Sequence, residues 1–370
     1  MNKKPYSLWK RRLESGQIIY YIRFRLDDGS FGTAKSSGQR TKSAAEAWAI
    51  NYLSSGQVVL KENINFSEFA KDFFAYDSPF VKSQLRRGRS FGRRHAENQN
   101  AIVNNYLIPE YGDLKLSKID DEMIEAFAEE LVVLGKAPST INKILLALRV
   151  ILQQAYKQKY IQKLPIIELL PNNYQDRGIL TVEEVKAFFA QPWSDNRYFA
   201  INLLAATTGM RMGEIRALQR KCVFDGYVEV SSSWERGYGL KGTKTGRSRN
   251  IPLPQRTQEA LRTVMEFSPY KEPDDFIFFG RKREAPLDQR IIQRNFYAAL
   301  KGIGITEDIR QERRISFHSW RHFFNSLLIN ARVPLLKVQT LTGHSTQRMS
   351  ENYFHVDDYE DVITITGEIL

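Results

Sequence analysis

At 370 residues the chain exceeds a single domain of roughly 150, which sets an expectation of two to three domains. A hydrophobic content of 42% provides material for sizeable cores and excludes global disorder. Lysine and arginine number 54 against 42 acids, a formal charge of +12, so a polyanion is the expected partner and nucleic acid the first candidate. The single cysteine, Cys222, excludes an internal disulfide framework and any multi-cysteine zinc site. No apolar run follows Met1–Pro5, so no signal peptide is expected. The best apolar stretch, Ile144–Leu152, is short and broken by Arg149, so no membrane span is expected. A cytoplasmic, DNA-associated protein fits these bounds.

Residues 1–62 carry 11 basic and 5 acidic side chains, the strongest basic excess for their size. Here Ile22, Phe24 and Leu26 alternate with Arg23 and Arg25, which predicts a strand with one apolar and one basic face. Asp27-Asp28-Gly29-Ser30 predicts a hairpin turn into a second strand near Phe31. Ser43 with Glu46 three residues on predicts a capped helix. Such a ribbon can enter a DNA major groove through Arg23 and Arg25, or present an ordinary solvated face.

Residues 63–170 read as helical. A helix is expected from Asn65-Phe66-Ser67, with Phe69, Phe73 and Phe74 along it. After Pro138-Ser139, Ile141, Leu145, Leu148 and Leu152 recur at helical spacing and mark a core stripe. The run Lys82–Arg94, KSQLRRGRSFGRR, holds six basic residues, no acid and two glycines. It reads as a solvated loop, or as a phosphate grip through Arg86, Arg87, Arg89, Arg93 and Arg94.

A linker is expected near Leu170–Asn173, and the third segment opens with a capping box at Thr181 to Glu184. Its predicted strands are Tyr227–Ser231, a basic hairpin over Lys241–Leu253, Phe276–Phe279, and Val362–Thr366 at the end; the rest is helical to about residue 355. The last strand is a candidate for packing against a neighbouring protomer.

Four of the five histidines fall within the last 53 residues. In Thr208-Gly209-Met210-Arg211-Met212-Gly213-Glu214, Gly209 can end a helix in the left-handed conformation and place Arg211 at the start of the next. Glu214 then lies one turn from Arg211 and can orient its guanidinium, though alone this is an ordinary i,i+3 pair. In His318-Ser319-Trp320-Arg321-His322 the two histidines and Arg321 share a helix face. A zinc protease pattern needs a glutamate where Ser319 stands, and Arg321 would repel a dication, so a phosphate site is the better reading. Gly343-His344 is followed by Tyr353, a phenol that could attack phosphorus if arginines gather around it. Its rival Tyr359 is surrounded by Asp357, Asp358, Glu360 and Asp361, which would repel a phosphodiester.

The ordered set Thr-Gly-x-Arg-x-x-Glu, Lys-Thr in a basic hairpin, His-x-x-Arg-His, Gly-His and a tyrosine nine residues later resembles the tyrosine recombinase (phage integrase) family. The resemblance covers roughly 175–356 strongly, 65–170 moderately and 1–62 weakly. It implies a multidomain, mainly α fold: a small N-terminal β-sheet-plus-helix domain (1–62, arm-type DNA binding), a helical core-binding domain (63–170), an α+β catalytic domain (171–356) and a tail (357–370). It implies that Arg211 and Arg321 clamp the scissile phosphate, that His318 and His344 donate hydrogen bonds there, and that Tyr353 attacks to give a 3′-phosphotyrosyl link. Lys244 matches the family lysine that protonates the leaving 5′-oxygen, with Lys241, Arg247 and Arg249 as neighbours that compete for the assignment. Glu214 matches a supporting acid. Trp320 stands where leucine is usual.

The implied activity is site-specific recombination of double-stranded DNA, integrating or excising a phage or mobile element. A homotetramer on DNA and DNA-bending accessory proteins are the expected partners. No cofactor and no metal is expected, because the phosphotyrosine conserves the bond energy and arginines carry the charge. Lys241 and Arg247 join the DNA-contact candidates. Two alternatives share parts of the pattern: a type IB topoisomerase-like relaxing enzyme, and a non-catalytic DNA-binding regulator.

Overall fold

A computed structural model describes residues 4–26, 29–55, 61, 63–171, 178–242, 248–343 and 360–369. The chain divides into two compact units, Met1–Tyr174 and Gln175–Leu370, each described by itself.

In the first unit, β1 (Tyr6–Arg12), β2 (Ile18–Phe24) and β3 (Lys35–Ser36) form an antiparallel sheet in that order, and α1 (Lys42–Ser54) covers one face. The alternation predicted for β2 holds: Ile22 and Phe24 are fully buried against Ala45 and Ala49, and Phe24 stacks on Tyr52 with ring centroids 4.8 Å apart. On the other face Trp9 pairs with Tyr21 across the strands, Arg23 lies over the Trp9 ring at 5.6 Å and Arg11 over the Tyr21 ring at 5.2 Å. Arg25 instead covers Phe31 and donates to the Gly29 carbonyl. Gly29 is left-handed and Leu26 N–H bonds Ser30 O, as a turn there requires, while Asp27 and Asp28 lie outside the described residues. The helix cap differs from expectation. Thr41, not Ser43, accepts the first-turn amide of Ala44, because the helix already begins at Lys42 and the cap must be extended; Glu46 pairs with Lys4 instead.

A separate apolar cluster follows, built from α2 (Phe66–Ala70), α3 (Pro79–Arg86), α4 (Arg93–Ile102), α5 (Ile108–Tyr111), α6 (Asp121–Val133) and α7 (Pro138–Lys157). The α7 stripe is as spaced: Ile141, Leu145 and Leu148 are fully buried and Leu152 nearly so. Helix α2 stops sooner than expected, so Phe73 and Phe74 lie beyond it in a turn, yet both are buried with Phe80 against them. The Lys82–Arg94 run is not one loop. Ser78 caps α3 at Pro79, so Lys82 to Arg86 are helical; Arg93 and Arg94 open α4; only residues 87–92 connect them, turning at left-handed Gly88. Arg86, Arg87, Arg89, Arg93 and Arg94 are exposed; Arg89 donates to Gln84 Oε1 and Arg93 lies over Tyr76.

The second unit comprises α8 (Val182–Ala190), α9 (Asn196–Thr208), α10 (Met212–Ala217), β4 (Tyr227–Val230), β5 (Ser232–Glu235), β6 (Gly239–Gly242), β7 (Arg249–Pro252), α11 (Gln255–Phe267), α12 (Gln289–Gly302), α13 (Glu307–Glu312), α14 (Ser319–Asn330), α15 (Leu335–Thr342) and α16 (Glu360–Ile369). Helix α9 is buried along residues 200–208 and forms the hub against α10, α11, α12 and α14. The capping box at Thr181 and Glu184 is present. Trp320 is buried among Phe188, Phe189 and Phe296, and its indole N–H reaches Asn202 Oδ1 at 2.9 Å, so the departure from leucine is satisfied. Cys222 is free and buried.

Three strand expectations are corrected. The basic hairpin is not a ladder of its own: β6 pairs with β5, and β7 pairs with β4. Phe276–Phe279 makes only isolated bridges, because its amides and carbonyls alternate between Leu218 on one side and Leu287 on the other, so neither ladder extends. Val362–Thr366 is helical. Its β-branched residues favour a strand, but Val362 and Thr366 are buried four apart with Ile365 packed between them, a helical period that docking on the core of this same unit imposes. Among the described residues no helix is long and apolar enough to cross a membrane.

Leu148→Ala removes a side chain from the centre of the α7 stripe. Urea unfolding is expected to show a loss of about 2–5 kcal/mol; a loss below about 1 kcal/mol would place Leu148 outside the core.

Candidate active site

The site begins where α9 ends. Gly209 takes φ +61°, and a Cβ there would meet a Phe324 ring carbon at 2.6 Å, so both conformation and space require glycine. The turn delivers Arg211 to the N-cap of α10, where it has no side-chain oxygen to cap the helix. Glu214 instead reaches back to the N-cap residue itself: its Oε2 accepts the Arg211 amide at 2.9 Å, and its Oε1 accepts Arg211 Nη1 at 2.9 Å. Glu214 is 4% exposed.

Arg321 comes from the first turn of α14 and is 2% exposed, with Nη1 donating to Gly209 O at 2.8 Å and Nη2 donating to Thr342 O. Arg211 Nη2 reaches Gly343 O at 3.3 Å. Gly343 takes φ +64° at the C-terminus of α15 and directly precedes His344 in the sequence. A third arginine completes the cluster. Arg249 at the head of β7 donates Nη2 to Glu214 Oε2 at 2.7 Å and Nε to Leu341 O at 2.8 Å.

Electrostatically, three guanidiniums surround one carboxylate. Burial alone would push the Glu214 carboxyl up, but the hydrogen bond and charge of Arg249, with those of Arg211, outweigh it and hold the carboxyl below its usual range. Burial, reinforced by the charges of Arg211 and Arg249 and opposed by Glu214, pushes Arg321 down to about 10, so it stays cationic at neutral pH. Among the described residues, Glu214 balances one of the three charges, and Arg211 is the most accessible of the three, its side chain 35% exposed against 11% for Arg249.

Of the residues singled out from the sequence, Arg211, Glu214 and Arg321 are brought together. His318 stands immediately before α14, one turn before Arg321, and packs edge-on against His322, ring centroids 5.1 Å apart, both partly exposed. Lys241 pairs with Glu235 across β5 and β6. Lys244, Arg247, His344 and Tyr353 lie outside the described residues. Arg23, Arg25 and the Arg86–Arg94 group belong to the other unit. Arg249 is the residue sequence reasoning undervalued, treating it only as a neighbour of Lys244. A signal was available: it stands two places before Ile251, on the inward face of a strand, where a cation needs a partner. Among the described residues no cluster of histidine, cysteine or carboxylate side chains could hold a metal ion.

Residues 179–360 match the phage integrase family, and residues 62–169 match the phage integrase SAM-like domain. The chain belongs to the tyrosine recombinase family. The tyrosine recombinase XerD of Chlamydia pneumoniae is 27% identical over 252 residues, 64% of this chain and 77% of that relative. XerC of Thermodesulfovibrio yellowstonii is 24% identical over 261 residues, 67% of this chain and 81% of XerC. In fold, the Tn1549 transposon integrase in complex with circular intermediate DNA matches with TM-score 0.62 at 17% identity, over 81% of this chain and 94% of that one. A lambda integrase tetramer bound to a Holliday junction matches with TM-score 0.58 at 17% identity, over 96% and 99%. This recombinase is therefore a tyrosine-type site-specific enzyme with a mainly α fold, a small N-terminal sheet and an α+β catalytic unit.

Because Glu214 is held below its unfolded value, its contribution to stability is present above about pH 4.3 and is lost as pH falls toward its folded pKa. Glu214→Gln is expected to cost about 3 kcal/mol at pH 7, where it takes the buried carboxylate away from both Arg249 and Arg211, and the gap from wild type should narrow in urea melts below pH 4. An equal gap at both pH values would mean the carboxylate charge is not what the arginines hold.

Proposed function

We propose that this recombinase cuts and rejoins double-stranded DNA through a 3′-phosphotyrosyl intermediate, integrating or excising a phage or mobile element. The observation that carries this is the pairing of Arg211 and Arg321, held by the adjacent carbonyls of Gly343 and Thr342 with net positive charge to spare. A phosphodiester gains a negative charge on its nonbridging oxygens as a nucleophile adds, and fixed guanidiniums stabilise that charge without reorganising. Removing one such donor in comparable sites costs about 10²–10³ in rate.

In the proposed reaction the Tyr353 oxygen forms a bond to phosphorus and the phosphorus–O5′ bond breaks. The phenol gives up its proton to solvent water, while Lys244 gives a proton to the departing 5′-oxygen and regains one from solvent. His318 and His344 donate hydrogen bonds at the phosphate. Attack by the 5′-hydroxyl of a second strand reverses these steps and releases the tyrosine, so the bond energy is conserved and no nucleotide cofactor is required. Residues 1–62 act as an arm-type DNA-binding domain through Arg23 and Arg25, 63–170 as a core-binding domain through Arg86, Arg87, Arg89, Arg93 and Arg94, and 171–356 as the catalytic domain, with Lys241 and Arg247 beside Lys244. Exchange between two duplexes takes four cleavages, hence a homotetramer on DNA, with accessory proteins that bend it.

With a nicked suicide substrate, wild type should accumulate a covalent protein–DNA adduct and a joint product from two sites, whereas Tyr353→Phe should form neither. Wild-type adduct without any joint product, accompanied by sequence-independent supercoil relaxation, would favour a topoisomerase; no wild-type adduct would leave only a binding protein.

Neutralising Arg86, Arg87, Arg93 and Arg94 together should weaken DNA binding and lower the slope of log K against log salt by about 3–4. A slope equal to wild type would show that these side chains meet only solvent.

A further inference from the structure

The last three residues before position 344 each offer a carbonyl, and each carbonyl takes a different arginine: Leu341 O from Arg249, Thr342 O from Arg321 and Gly343 O from Arg211. Two of these arginines are assigned above to the phosphate. Arg249 is not, although it makes the most internal contacts of the three.

Its placement follows from β7. Arg249 is in register with Val230 of β4, and the period of two puts it on the same face as fully buried Ile251. The side chain therefore enters the unit beneath the site. Its guanidinium uses one edge on Glu214, with Nη2 at 2.7 Å from Oε2 and Nη1 at 3.4 Å from Oε1, and its Nε on Leu341 O at 2.8 Å. It also lies against Gly343 so closely that a Cβ there would stand 3.2 Å from Nη1 and 3.3 Å from Cζ.

Two consequences follow. The described charged groups that face Glu214 are Arg211, Arg249 and Arg321. Without Arg249 the carboxylate would lean on Arg211 alone, and a neutral Arg211–Glu214 pair would have less charge to offer an incoming anion. The second consequence is mechanical. By holding Leu341 O, Arg249 fixes the final turn of α15, from which the Thr342 and Gly343 carbonyls set the spacing of Arg321 and Arg211.

We propose that Arg249 is a positioning residue for strand cleavage: it shares the Glu214 carboxylate with Arg211, so that Arg211 is not fully neutralised, and locks the end of α15, so that Arg211 and Arg321 meet the scissile phosphate charged and correctly spaced. This rests on the preceding assignment of those two arginines to the phosphate.

The test uses the full chain and a suicide substrate in single turnover, comparing wild type, Arg249→Met, Arg249→Lys and the double variant Glu214→Gln/Arg249→Met. Arg249→Met should bind the DNA within about threefold of wild type, yet form the covalent adduct about 10²-fold more slowly. Arg249→Lys, which restores charge but only one point of contact, should recover about tenfold. Loss of Arg249 releases the Glu214 carboxyl toward the protonated form, so the acid limb of the pH–rate profile should move toward neutral pH in Arg249→Met and vanish in the double variant. Packing alone would move neither. An adduct rate within threefold of wild type overturns the proposal, as does a parallel loss of affinity and rate with an unmoved acid limb. If Arg249→Met fails to melt cooperatively, Arg249→Lys decides: a displaced acid limb supports the proposal and an unmoved one overturns it. A wild-type chain that forms no adduct removes the phosphate assignment itself, and the proposal with it.

Discussion

Crowding three like charges is the constraint around which the second unit is built. Arg211 and Arg249 both repel Arg321, and burial penalises its charge further. One carboxylate cannot neutralise all three and leave an anion site. The solution is to spread the cost: Glu214 takes Arg211 and Arg249, while the C-terminal end of a short helix gives one carbonyl to each arginine. The contacts arrive from α10, β7, α14 and α15, so elements distant in the chain are tied together at the point where charge has to be fixed.

What could be read from the sequence was what is local. Gly209, Arg211 and Glu214 lie within six residues, and a left-handed turn followed by an i,i+3 pair follows from residue type and helical spacing. Thr181 with Glu184, the α7 stripe and the face shared by His318 and His322 were legible for the same reason. Arg249 was not, because its partners lie 35 and 92 residues away and nothing in a window around it shows which carbonyl it will meet. The strand errors have a related origin. Val362–Thr366 carries strand propensity, yet docking against the core decides its conformation. In the Lys241–Leu253 stretch, basic and turn-forming residues suggested a self-contained hairpin, while each arm found an earlier strand to pair with.

The two units use arginine differently. In the second, guanidiniums are buried and spent on carbonyls and a carboxylate. In the first, Arg11 and Arg23 lie on aromatic rings of an open sheet face, and the Arg86–Arg94 group stands in solvent on and between two helices. Stacking on Tyr21 and Trp9 limits the conformations of those side chains while both stay exposed.

The contact between Trp320 and Asn202 has a consequence for accuracy. Apolar packing tolerates small rotations of a helix about its own axis, since one aliphatic contact substitutes for another. A buried indole N–H with a single acceptor does not, because turning away leaves both groups unpaired. The bond therefore indexes α14 like a key in a slot. Since Arg321 is the next residue along, the aim of its guanidinium is set by a neutral hydrogen bond that takes no part in the charge cluster.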